Sequence, residues 1–189
     1  MAKVAKNIVL YGASGSLGDQ LVIRQRKGQT VLSAMPRVDA NRQATPAQAA
    51  NRARFQEAIF YGKAQLADPQ AQAGYQAKAA GTPRSAFNVA VADFFNAPNV
   101  DEVDLTGYHG AVGEPIRVRA TDDFQVTQVQ VSIVNADGSL LEEGNAIRQP
   151  NSIDWVYAAT AANESLDGDK IVVRASDKPG HVTKVEEGV

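Results

Sequence analysis

A chain of 189 residues, 44% hydrophobic and 21% charged, holds enough apolar material for one sizeable core or two small ones, and its balance is that of a globular protein. Zero cysteines exclude a disulfide framework and thiolate metal sites, two histidines disfavour a histidine-built zinc centre, and no apolar run reaches the roughly 18 residues that span a bilayer. The net charge of −2 hides a split: residues 1–96 carry 12 Lys and Arg against 5 Asp and Glu, or +7, and residues 97–189 carry 7 against 16, or −9.

That polarity admits three readings. Charge can simply keep the surface wet, the basic half can meet nucleic acid, or the basic half of one copy can dock on the acidic half of the next. Nucleic acid is the least favoured partner, because Arg24, Arg26 and Lys27, or Arg52, Arg54 and Lys63, come with no reading motif. At the start, "MAKVAKNIVLYG" has an apolar run, Ile8–Tyr11, too short for a secretory leader. Synthesis in the cytoplasm without a signal is expected, with the final location open.

Three regions follow one another: a glycine-rich β arm over 1–44, a helical region over 45–100 and a β-rich region over 101–189. In the first, "NIVLY" reads as a strand and "GASGSLG" as a flexible loop. The stretch "LVIRQRKGQTVLSA" folds about Lys27-Gly28 into a two-residue hairpin with glycine second in the turn. Leu21 then faces Ala34, Ile23 faces Leu32, Arg24 faces Val31, and Gln25 faces Thr30. The hairpin is polar at its tip and apolar at its root. Such a ribbon leaves edges and an apolar face to be covered, by the chain's own helices or by a neighbouring copy. The residues expected to take part in self-association are Ile8, Leu10, Leu21, Val22, Ile23, Arg24, Arg26, Lys27, Val31 and Leu32.

The same stretch supports a competing reading. "NIVLYG" followed by Gly12, Gly15 and Gly18 has the spacing G-x-x-G-x-x-G, which resembles extended short-chain dehydrogenases and nucleotide-sugar epimerases. The resemblance implies an NAD(P)-binding turn at those glycines, with Arg37 as a phosphate ligand and oxidoreductase activity. Two features of the sequence oppose it. A crossover helix after Gly18 would turn Arg24 and Gln25 into its core. No Tyr-x-x-x-Lys occurs either; the nearest, Tyr75-Gln76-Ala77-Lys78, is one residue short.

In the middle region, Thr45-Pro46 with Gln48 forms a capping box, and Phe55, Ile59, Gly62 and Leu66 make one helical stripe. Asp68-Pro69 ends that helix and opens a second, which stops at Gly81. Thr82-Pro83 starts a third, with Phe87, Ala90, Val91 and Phe94 on its apolar face, and "NAPNV" closes it. Phe55, Phe60, Tyr61, Tyr75, Phe87 and Phe94 are assigned to the core.

The last region alternates with period two: Ile116, Val118 and Ala120; Val129, Val131 and Ile133; Ile153, Trp155 and Tyr157; Ile171, Val173 and Ala175. Turns fall at Asn135-Ala136-Asp137-Gly138, at "LDGDK" and at "DKPGH". Within it, "IRVRATDDFQVTQVQVSIVNADGSL" followed by "IVVRASDKPGHVT" resembles bacterial immunoglobulin-like domains. The resemblance implies a two-sheet sandwich and leaves function open, since such modules serve fibres, adhesins and enzyme appendages alike. The whole chain is similar to uncharacterised bacterial proteins.

The carboxylate groups Asp101, Glu102 and Asp104, Asp122 and Asp123, and Asp167 and Asp169 lack glycosidase or EF-hand spacing, and weak calcium at Asp122, Asp123 or Asp177 is a minor alternative. The sequence thus predicts an α+β protein: a β-hairpin arm, a helical middle and an immunoglobulin-like sandwich. The favoured function is a non-enzymatic, structural subunit without cofactor, joined head to tail to other copies. The runner-up is an adhesion module using loops such as 144–152.

Overall fold

The computed structural model describes residues 2–4, 10, 12–26, 28–36 and 43–189. The chain is α+β and divides into two compact units, Met1–Pro46 and Ala47–Val189.

The first unit is an antiparallel sheet of four strands: β1 (Ala2–Val4), β2 (Gly15–Leu17), β3 (Leu21–Arg26) and β4 (Gln29–Ala34), in the order β1-β4-β3-β2. Its centre is the hairpin expected from the sequence, with Leu21 opposite Ala34, Ile23 opposite Leu32, Arg24 opposite Val31 and Gln25 opposite Thr30. Gly28 makes the turn at φ +73°, a conformation that costs any residue with a Cβ. The main-chain bond from Met35 N to Gln20 O, at 2.9 Å, closes the root.

The surrounding strands correct the sequence reading. Gly15–Leu17, expected in a loop, is a strand paired with β3, Gly15 facing Ile23 and Leu17 facing Leu21. Two hairpins in succession thus replace one, because Gly18 at φ +55° bends the chain straight back. The strand on the far side of β4 is Ala2–Val4, with Ala2 opposite Leu32 and Val4 opposite Thr30. Of the strand expected at "NIVLY", Leu10 lies in a turn and the other residues, Ile8 and Tyr11 among them, fall outside the described residues.

The second unit begins with three helices, α1 (Pro46–Ala67), α2 (Pro69–Ala79) and α3 (Ala86–Phe95). The Asp68 side chain caps α2 by accepting from Gln70 N at 3.1 Å, and Pro69 occupies the first turn, where no donor is needed. The third helix starts later than Thr82-Pro83 suggests: Ser85 is its cap, accepting from Asn88 N at 3.2 Å, while Thr82 Oγ1 donates back to Ala79 O. Ala71, Tyr75, Val89 and Ala90 form the helical core, with Leu66, Ala79, Ala86 and Phe124 packed against it.

Two more antiparallel sheets follow. One contains β5 (Asn99–Asp104), β6 (Pro115–Thr121), β9 (Ile147–Arg148) and β10 (Asp154–Ala158), in the order β5-β6-β10-β9. The other contains β7 (Val126–Val134), β8 (Leu140–Asn145), β11 (Lys170–Asp177) and β12 (Val182–Gly188), in the order β12-β11-β7-β8. Alternate residues of both sheets enter one buried cluster: Ile116, Val118, Ala120, Trp155 and Tyr157 from the first; Val129, Val131, Ile133, Ile171, Val173 and Ala175 from the second. Ile153, expected on this face, is exposed just before β10. The three turns form where glycines sit at positive φ: Gly138, Gly168 and Gly180.

The helices attach to two corners of these sheets. Phe124, between β6 and β7, stacks on Tyr75 with ring centroids 3.8 Å apart, and Lys178, between β11 and β12, lies over both rings at 5.6 and 5.7 Å. Phe94 meets the His181 ring edge-on at 6.2 Å. Aromatic burial of this kind contributes about 1 kcal/mol per ring pair beyond the area covered.

Candidate association surface

Strand alternation sorts the N-terminal sheet into two unlike faces. Leu17, Leu21, Ile23, Leu32 and Ala34 share one face with Gly15, Gln25 and Thr30; Ser16, Val22, Arg24, Arg26, Gln29, Val31 and Ser33 share the other. The residues singled out for self-association therefore do not form one patch. Leu21, Ile23 and Leu32 are half-buried on the apolar face, while Arg24 and Arg26 are exposed on the opposite one, beside half-buried Val22 and buried Val31. Leu17 is 68% exposed on the apolar face, a residue the loop assignment concealed. Ile8 and Lys27 lie outside the described residues.

The polar tip is more tightly held than its composition suggests. Gln25 Nε2 donates to Ala13 O at 2.7 Å and to Thr30 Oγ1 at 2.9 Å, and Thr30 Oγ1 donates to Leu10 O at 3.1 Å. These bonds hold the Leu10 and Ala13 carbonyls at that end of the sheet, and Thr30 is buried. Leu10 thus acts here through its carbonyl. The signal is available in the sequence, where the hairpin register already sets Gln25 opposite Thr30.

Gly12, Gly15 and Gly18 all adopt positive φ, at +75°, +131° and +55°, but Gly12 precedes β2, Gly15 begins it and Gly18 follows it, and none opens a helix. Residues 21–26, where a dinucleotide fold needs a helix to aim its amides at a diphosphate, form β3. Arg37 lies outside the described residues.

In the second unit most carboxylates serve their own turns and strands. Asp122 Oδ2 accepts from Phe124 N and Gln125 N; Asp177 Oδ1 accepts from Gly180 N and His181 N, and its Oδ2 pairs with His181 Nδ1 at 2.6 Å. Asp123 accepts from Asn96. Arg119 joins Glu102 at 3.1 Å and Asp154 at 2.9 Å. Among the described residues no group of three or more Asp, Glu or His is arranged to hold a metal ion.

Four carboxyls are buried among the described residues, Asp93, Glu142, Asp169 and Asp177, and two of them accept from tyrosine hydroxyls. Asp93, fully inaccessible on α3, has Oδ2 2.5 Å from Tyr75 Oη and 3.0 Å from Tyr61 Oη, so one carboxylate ties three helices together. The phenols are 2.9 Å apart, and the single Tyr61 proton serves either partner. Burial pushes Asp93 above the usual carboxylate range, the two phenols partly offset this, and the charges of Asp122 and Asp177 reinforce it. Burial likewise pushes both tyrosines up. Glu142 on β8 is the other: Oε2 accepts from Tyr157 Oη, Thr160 N, Thr160 Oγ1 and Ala161 N. Its burial works upward, but those donors prevail and hold it below the usual range.

One acidic hollow stands out beside the β7–β8 turn. A cavity of about 450 Å³ is lined by Asp137, Glu164, Asp167 and Asp169 together with Asn135, Asn163 and apolar residues, and by no Lys or Arg. Asp169 is buried, accepting from Ala136 N and Asn163 Nδ2, both at 2.8 Å. No family model, curated protein or solved structure matches the chain.

Proposed function

We propose that the protein is a structural subunit that associates with further copies of itself through its N-terminal sheet. The observation that carries this reading is the sheet's two-faced composition: all charge on its described strands β2–β4 lies on one face, and exposed Leu17 with half-buried Leu21, Ile23 and Leu32 lies on the other. The +7 and −9 halves supply an attraction between unlike ends of successive copies, which gives a heterologous contact that closes as a ring or runs on as a filament.

The β-rich part is read as an immunoglobulin-like sandwich. In support, the strand orders β5-β6-β10-β9 and β12-β11-β7-β8 correspond to the two sheets of that Greek key, with the chain changing sheets after β6, β8 and β10. Its buried tryptophan, Trp155, stands on β10 in the first sheet, and no disulfide joins the sheets. A rigid module of this kind suits a spacer in an assembly.

Light scattering and electron microscopy of the pure protein test the reading. Polymers or closed rings are expected at tens of micromolar, and removal of residues 1–37 is expected to abolish them while circular dichroism retains the helix and strand signal. A sharp monomer at all concentrations overturns the proposal. A second reading, adhesion through the 144–152 segment, draws on Ile147, 73% exposed on β9, with exposed Ile153 just beyond the segment.

A further inference from the structure

We infer that the basic face of the N-terminal sheet seats on the acidic cavity beside the β7–β8 turn of a second copy, an inference that rests on the self-association reading and supplies its joint. Arg24 and Arg26 stand two residues apart on β3, so their guanidinium groups project from the same side, about 7 Å apart along the strand. Neither has an ion-pair partner among the described residues. Gln29, opposite Arg26, and Ser33, opposite Val22, extend that face with neutral donors and acceptors.

The receiving surface is selected by charge. Three other cavities among the described residues mix signs: one has Lys78, Arg148 and Asp122, another Lys78, Arg84, Asp122 and Asp123, and a third Arg117 and Arg119 with Glu102, Asp104 and Asp154. The cavity of about 450 Å³ carries four carboxylates and no cation. Two of them are committed to their own turns: Asp169 holds Ala136 and Asn163, and Asp137 Oδ1 accepts from Ser139 N at 2.8 Å. Glu164 and Asp167 have no hydrogen-bond or ion-pair partner among the described residues, which leaves two exposed carboxylates for two exposed guanidiniums. Arginine is suited to this match because its planar fork meets a carboxylate with two donors at once. An arm in a cavity joins unlike surfaces, so each copy retains a free arm and a free cavity, and the chain of contacts continues.

Charge reversal on each side, separately and together, tests the joint by sedimentation velocity on the full chain. R24E/R26E and E164K/D167K are each expected to weaken association about tenfold or more, since each sets like charges face to face. An equimolar mixture of the two is expected to assemble again, because each variant then offers the surface the other lacks. The chain carrying all four changes is expected to assemble alone. Thermal melts identify any variant that fails to fold, and R24Q/R26Q with E164Q/D167Q replaces it, each expected to weaken association without rescue on mixing. If the wild type assembles and the reversals leave it unaffected, or the mixture stays apart, this joint is wrong while self-association stands. If the wild type is monomeric throughout, the reading beneath it falls first.

Discussion

Asp93 and Glu142 are both carboxyls removed from water, yet they couple stability to pH with opposite sign. Asp93 has its pKa raised in the fold, chiefly by burial, from an ordinary 3.8. Between that value and its folded one, the native chain holds a proton that the unfolded chain has released, so Asp93 lowers stability as pH climbs through the window. Glu142 is held below an ordinary 4.5, so its contribution is complete above that value and is lost as pH falls through the folded one. Melting temperatures of wild type and Asp93→Asn are expected to draw together, or cross, as pH rises from about 4 to about 7. The gap between wild type and Glu142→Gln is expected to shrink as pH falls from about 5 to about 3. Parallel curves in either pair contradict the corresponding assignment. Backbone geometry gives a third test. Gly110 has φ +93°, its carbonyl accepts from Asn163 N, and a Cβ there would strike the Asn163 carbonyl oxygen; Gly113 has φ +89° with open space around it. Gly113→Ala is expected to cost about 1 kcal/mol for the left-handed conformation alone, and Gly110→Ala about 2–4 kcal/mol, read by urea unfolding.

Helix α1 shows how an element can be predicted correctly and its packing missed. The capping box and the Phe55, Ile59, Gly62, Leu66 stripe predict a helix from Pro46, and Pro46–Ala67 is one. Only Ala58 and Gly62 of it are buried, however: Phe60 is 69% exposed, and Phe55, 51% exposed, meets the Phe95 ring at the surface beneath Arg54. Assigning aromatic residues to the core by type holds for Tyr75, but the buried positions of α1 are the small Ala58 and Gly62, where the Phe87 ring comes so close to Gly62 that a Cβ there would touch it. Amides of residues 50–55 are therefore expected to exchange with deuterium much faster than those of 60–66, whose turns carry Tyr61, Gly62 and Leu66 against the other helices. Uniform protection along α1 would mean that its first half is covered. Strands were more legible than helix faces. The alternation around Ile116, Val129 and Ile171 transmits burial directly through a period of two, and the Lys27-Gly28 hint fixed the β3–β4 register residue for residue. Gly15–Leu17 stayed hidden because Gly15 and the following Gly18 suit a loop as well as a tight hairpin; the rest was set by partners distant in sequence, the phenols that accompany Asp93 and the cavity whose carboxylates come from residues 137 and 164–169. A single strand's pattern cannot name the strand or loop opposite it.

At the scale of the whole molecule, two forces are available to join copies, and salt separates them. The charge split acts between a +7 and a −9 half, over distances that shrink from about 10 Å at 0.1 M salt to about 3 Å at 1 M. The apolar face around Leu17, Leu21 and Leu32 acts by exclusion from water and is insensitive to simple screening, but is strengthened by sulfate. If guanidinium–carboxylate contacts dominate, the association constant falls steadily as sodium chloride rises from 0.1 to 1 M, by about tenfold or more for two exposed pairs acting together. If the apolar face dominates, sodium chloride changes little and ammonium sulfate of equal ionic strength tightens the assembly. Concentration-dependent light scattering in the two salts distinguishes these cases. The basic face seated on the acidic cavity requires the first; association that holds in sodium chloride and tightens in ammonium sulfate would place the joint on the leucine face of the same sheet.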